Sequence, residues 1–349
     1  MRFPRRTPTR NHTDGRPRAK ALVGIGLLLA CGLLTAWLVP ASPPPSPSAA
    51  PLAGVVGRVY VTNQLDNTVS VIDAGTNKVF ATVPAGTAPE GIAITPDGRY
   101  AYIADNGSAK ISVLDTRTNK IAATVPVGNK PTAVRLSPGG GSLYVANGGS
   151  DSVSVIDTRT NQVTASVPVG VSPVSVAISR DGATAYVANS GSRSVSVIDT
   201  RTQRVVRSVP AGRSPVGVAV TPDGESAYVA NEAVATVSVV GLGARAVTAT
   251  VPVGEGPFDV ALAPDGSRAY VADLGPGKVS VIDTRSHHVS ATVAVGPPGT
   301  DPFNLAVTSG AVYVTEQGAG ILTVINPKSL KVVATVTVGT SPYGVAVSP

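Results

Sequence analysis

The chain of 349 residues holds three histidines and one cysteine, a small stock for His-based catalysis, zinc or a disulfide framework. His287 and His288 are adjacent, with no cysteine or acidic partner at metal-ligand spacing, and read as a solvated turn. No G-x-S-x-G elbow occurs, and no serine has an identifiable histidine partner. Chemistry is better sought in residues that depart from a repeat. The residue after a recurrent proline runs Glu90, Thr132, Val174, Val216, Phe258, Phe303, Tyr343, and the next runs Gly91, Ala133, Ser175, Gly217, Asp259, Asn304, Gly344. Three aromatics thus fall in succession, flanked by Asp259 and Asn304, with Glu90 following Tyr343 if the repeats close into a ring. Such an arc can stack a sugar, a base or a peptide side chain. The plainer role for the same residues is to plug an opening or to pack between repeats.

The elements that must position these residues are short strands. The motif Tyr-[VI]-[AT]-[NDE] starts at Tyr60, Tyr102, Tyr144, Tyr186, Tyr228, Tyr270 and Tyr313, about 42 residues apart each time. Beside it recur SVID-like segments from Ser70, Ser112, Ser154, Ser196, Ser238, Ser280 and Thr323, and ATVPVG-like segments after them. A proline-led segment ending in Pro-Asp-Gly completes the unit, and that tripeptide sets a tight turn. Pro84, Pro126, Pro168, Pro210 and Pro252 sit in the last segment, and a strand carrying proline belongs at an edge. Repeated Asn63, Asp105, Asn147, Asn189, Asn231 and Asp273 stand at strand ends, where short polar side chains bond nearby backbone N–H groups. Asp73, Asp115, Asp157, Asp199 and Asp283 read the same way in a later turn. Four strands per unit, seven times over, predict an all-β, seven-bladed propeller of antiparallel blades over residues 57–349. The N-terminal unit lacks a proline-led strand, and a lone one follows from Pro342, so the C-terminal strand is expected to complete the N-terminal blade.

Charge sharpens the organisation. Seven basic residues against Asp14 crowd positions 1–20, whereas the rest of the chain is almost neutral although the total is +7. Residues 1–20 are therefore expected to be a basic cytoplasmic tail, and 21–39 an apolar transmembrane signal-anchor or signal peptide. Val39-Pro40-Ala41 offers a cleavage sequence. Cys31 in a loose lipobox and the Arg5-Arg6 pair are weaker export signals. Residues 40–56 are a Pro/Ser/Ala-rich linker, extended and semi-rigid. The propeller is expected outside the cytoplasm, tethered to the cell membrane or secreted.

The YVTN, YVAN and YVAD motifs with SVIDTRTN and TPDG resemble the YVTN-repeat β-propeller family, which includes YncE-like and surface-layer propellers. The resemblance implies secreted, periplasmic or surface proteins that generally lack an assigned reaction. Some YncE-type propellers bind single-stranded DNA. No Trp-Asp dipeptide occurs in the repeats, so the WD40 family fits less well.

The expected function is that of a non-enzymatic binding or scaffold propeller that offers a loop face to an envelope or extracellular protein or glycan. The expected site residues are Phe258, Phe303, Tyr343, Glu90, Asp259 and Asn304, with no catalytic residue, metal or cofactor. Single-stranded nucleic-acid binding is the first alternative, raised by the resemblance and lowered by the near-neutral body. A lactonase- or lyase-type enzyme is the second, without a histidine to serve it. The sequence leaves the oligomeric state open.

Overall fold

In the computed structural model, residues 57–349 are described; the tail, apolar segment and linker expected over 1–56 lie outside them. Seven antiparallel sheets of four strands each follow one another around a ring. Every blade runs from an inner strand, such as Pro89–Ile94, outward through Tyr100–Asp105 and Lys110–Asp115 to Lys120–Pro126. Second and third strands are buried along nearly their whole length, as in TVSVID and YAYIAD. Both of their faces are covered by neighbouring blades, so Val, Ile, Ala and small buried serines such as Ser70 and Ser112 fill them. Outer strands are mostly exposed and end in the repeated proline, as the edge position requires.

The ring closes as expected. Pro342–Val347 is the inner strand of the blade whose other members are Arg58–Asn63, Thr68–Asp73 and Lys78–Pro84. Loops leading into the inner strands and loops between second and third strands share one side, here the mouth face. The Pro-Asp-Gly turns and the turns before the outer strands form the opposite turn face.

Two polar details differ from expectation. The repeated Asn side chains also bond a serine of the adjoining strand: Asn63, Asn147, Asn189 and Asn231 each donate from Nδ2 to Ser70, Ser154, Ser196 and Ser238 at 2.9 Å. The expected backbone bond is made at Asn63, whose Oδ1 accepts the Gly339 amide. At Asp105 and Asp273 the direction reverses, and Ser112 and Ser280 donate at 2.7 and 2.6 Å. The reason is packing. Glycines of the inward loops lie so close above these side chains that a Cβ at Gly128 would come within 2.7 Å of the Asn147 amide carbon. Asp73, Asp115 and Asp157 do accept turn N–H groups, as expected.

The second difference is His287. It is only half exposed, and its Nδ1 shares a 2.9 Å hydrogen bond with the Tyr228 hydroxyl of the preceding blade. His287 occupies the positive-φ turn position, φ 56°, filled elsewhere by Asn161 and Gln203. Those residues meet Tyr102 and Tyr144 in the same way, at 2.9 and 3.2 Å. Tyr102, Tyr144 and Tyr228 therefore each tie their blade to the next one's turn, and His287 serves that contact. His288 is exposed.

Candidate functional site

Inner strands carry the expected site residues because each is bulged just after its proline, as between Pro257 and Val260. The bulge breaks the strict alternation and re-aims the second and third residues toward the mouth. There the three aromatics meet. Phe258 and Phe303 are stacked, with ring centroids 3.8 Å apart and planes 30° apart. Tyr343 stands edge-on to Phe303 at 4.7 Å and to Phe258 at 6.3 Å. All three are half-buried. Phe258 also packs against the aliphatic cluster around Val216 and Val260. The rings thus form one mutually satisfied group over three successive blades, with their outer edges toward solvent.

Glu90 lies next around the ring, only 7% exposed. Its Oε1 accepts a hydrogen bond from Gln64 Nε2 at 2.8 Å, and Oε2 has no partner among the described residues. Burial pushes its carboxyl up to about 8, against the lowering influence of Gln64, Tyr343, Asn106 and Lys130. Burial and the neighbouring Glu90 and Asp259 in turn hold the Tyr343 hydroxyl well above its ordinary range. Two threonines pin these residues from behind. Thr62 Oγ1 donates to the Glu90 carbonyl at 2.6 Å, and Thr315 Oγ1 donates to the Tyr343 carbonyl at 2.8 Å. The other five blades have alanine there.

Asp259 and Asn304 sit one residue further along their strands, where side chains point at the next blade. Glycine at this place allows a close approach: a Cβ at Gly217 would lie 2.7 Å from the Phe258 carbonyl oxygen. Asp259 uses the space to join blades, accepting the Leu305 amide on Oδ2 at 3.0 Å and the Val260 amide on Oδ1 at 2.9 Å. Burial raises its carboxyl to about 6, while Arg135 favours the charged form. Asn304 Nδ2 is buried without a partner.

Beneath the aromatic group runs a central channel of about 610 Å³. Phe258 and Tyr343 line its upper part, and Pro96, Pro138 and Thr308 line its end on the turn face. The sequence reading missed its principal charged group. Arg135 is exposed into the channel and is the fifth residue of its inner strand. The other six blades place alanine there: Ala93, Ala177, Ala219, Ala261, Ala306 and Ala346. Comparing the fifth position, as well as the second and third, would have found it.

Charge is also divided between the two faces. Sorting the ionisable residues by strand end and turn leaves fourteen basic and ten acidic side chains on the turn face. The mouth face has five basic and ten acidic ones. A body that is nearly neutral in total is therefore a dipole across its thickness. Among the described residues, no group of three His, Cys, Asp or Glu side chains is placed to hold a metal ion.

Residues 23–148 and 140–224 match the family of YNCE-like beta-propellers. The chain belongs to that family. Solved structures are similar in fold across most of the chain. Hydrazine synthase of Kuenenia stuttgartiensis shares 26% identity at a TM-score of 0.68, over 73% of this chain and 88% of that one. A functionally unknown protein from Desulfotomaculum acetoxidans has a TM-score of 0.72 at 18% identity, covering 84% and 99%. Dihydro-heme d1 dehydrogenase NirN in complex with DHE has a TM-score of 0.65 at 16% identity, covering 83% and 75%. The last two show the fold alone. A PE-PGRS family protein of Mycobacterium tuberculosis is 52% identical over 40 residues, about one repeat. That match spans 12% of this chain and 9% of the relative.

Proposed function

We propose that this YncE-like propeller is an exported binding module that offers its mouth face to an envelope protein or glycan. The observation that supports it is the gathering of repeat-breaking residues on one arc of that face. Phe258, Phe303 and Tyr343 lie there in contact, beside Glu90, and the long Gly296–Asp301 loop leads directly into the strand that carries Phe303. Half-exposed rings beside buried polar groups suit a ligand with one apolar and one hydrogen-bonding side. The test compares capture from envelope extracts by the wild-type protein and by single Phe303→Ala and Tyr343→Ala variants. A species retained by the wild type and lost from variants with unchanged circular dichroism supports the proposal. Equal retention moves the interface elsewhere.

A second reading places single-stranded nucleic acid on the turn face, and the excess of basic residues there favours it. A labelled oligonucleotide should then bind with an affinity that falls steeply as salt is raised. Two of the structurally similar chains carry redox-enzyme names. Catalysis by this chain would fall to Glu90 and Asp259 at the mouth. Turnover of a lactone or glycoside, lost in Glu90→Gln or Asp259→Asn, would replace the binding reading.

A further inference from the structure

We infer that the central channel is a binding site for a small organic carboxylate with an apolar body, its carboxylate paired with Arg135. Its anchor, Arg135, lies below the mouth face, and the site shares Phe258, Asp259 and Tyr343 with the surface proposed there.

Three observations meet in Arg135. Among the described residues it is the one arginine or lysine lining a channel of about 610 Å³, a volume within the range of small-molecule sites. Six equivalent positions carry alanine, so the fold itself asks for no cation there. Its guanidinium makes no ion pair or hydrogen bond among the described residues, which leaves a planar fork of donors matched to a carboxylate. Arginine placed against alanine, valine and leucine walls meets an anion at lower dielectric than on the surface, and their attraction is correspondingly stronger.

The channel also orders the ligand from end to end. Arg135 lies toward the turn face, whose excess of basic side chains draws anions to that opening. Asp259 is the opposing charge in the channel. It stands two positions nearer the mouth, with both oxygens held by backbone amides of Val260 and Leu305. An anionic head is therefore favoured at Arg135 and disfavoured above it. From the level of Arg135 to that of Phe258 and Tyr343 is three strand residues, about 10 Å. The walls over this distance carry alanine and aliphatic side chains with Ser175, Asp259 and Asn304 among them, ending at the aromatic rings. A medium-length apolar chain fits that distance.

Equilibrium dialysis of the full chain with labelled octanoate tests the assignment. Octanamide and octylamine are run as uncharged and cationic counterparts, and inorganic phosphate as a competitor without an apolar body. The expected result is saturable octanoate binding, at least tenfold weaker for both counterparts and little affected by phosphate. Arg135→Ala installs the residue of the other six blades, so the ring should keep its melting temperature while octanoate binding falls tenfold or more. Failure of the wild type to bind octanoate overturns the inference, as does equal binding by Arg135→Ala. Displacement by phosphate at similar concentration overturns the apolar-body part and leaves a simple anion site.

Discussion

The side-chain oxygen of Asn63 accepts a hydrogen bond from the Gly339 amide at 3.0 Å, joining residues 276 positions apart. Gly339 precedes the inner strand Pro342–Val347, and Asn63 ends the second strand of the same sheet. Asp66 adds a bond from the Thr340 amide at 2.6 Å. The blade is held by contacts between opposite ends of the propeller sequence as well as by its ladder. Deleting 341–349 should therefore expose the Arg58–Asn63 strand as an open edge. The expected outcome is a truncated protein that elutes as aggregate and lacks a cooperative melt; a monomer with wild-type melting temperature would show that closure is dispensable.

Stability should fall with rising pH. Burial holds Asp105, Asp259 and Asp273 up to about 6, Glu316 up to about 7 and Glu90 up to about 8. The folded chain keeps these protons where the unfolded chain has released them. Their contribution is complete below the ordinary carboxylate range and is lost as pH rises through the folded values. Exposed turn residues such as Asp115 and Asp199 have lowered values and act the other way, their contribution disappearing in acid. The melting temperature should peak near about pH 4 and decline toward pH 8. A flat or rising profile over that interval would contradict the buried-carboxyl account.

Within that profile, Asp105→Asn and Asp273→Asn should each stabilise the protein at pH 8 by roughly 1–2 kcal/mol. Four blades already hold asparagine there, bonded to the matching serine. Chemical denaturation at pH 4.5 and pH 8 distinguishes this from a general effect, because the gain should shrink in acid.

The tyrosine hydroxyls give a paired prediction. Tyr102 donates to Asn161 Oδ1 at 2.9 Å, whereas the buried Tyr313 hydroxyl has no partner. Tyr102→Phe should cost about 1 kcal/mol, and Tyr313→Phe should be neutral or stabilising. Equal losses in urea titrations would mean that the hydroxyls matter by volume alone.

Gly217→Ala places a Cβ 2.7 Å from the Phe258 carbonyl oxygen and 2.8 Å from the Asp259 Cα. Backbone cannot yield cheaply, so a loss of about 1–3 kcal/mol is expected. Gly139→Ala meets nothing within 4 Å and serves as the control. Similar melting temperatures for the two variants would show that the inner strands move apart without strain.

The ring was legible because every repeat states it again: the tyrosine motif and the proline-led strand recur in fixed order, and each blade needs the same buried strands. The site was legible only in part. Phe258, Phe303 and Tyr343 stand out in a repeat alignment, and their succession places them on adjacent blades. That they stack on one another depends on the bulge after each proline, which the spacing alone does not reveal. Asp259 reads in the sequence as a site residue beside the aromatics, yet one of its oxygens is used between blades, accepting an amide 46 positions away, and the other accepts the Val260 amide of its own strand. Arg135 stood in plain view at a position that was not compared. The division of charge between faces appears only once strand direction is assigned, since the total conceals it.

Closure through the Pro342–Val347 strand has a consequence for biogenesis. During synthesis the N-terminal three strands of that blade emerge first and wait for a partner that is made after all the other blades. Until then the nascent ring is an arc with a bare edge, adhesive to any extended chain it meets. A propeller built this way is assembled safely only when the time between its first strand and its last is short, or when something shields that edge in transit.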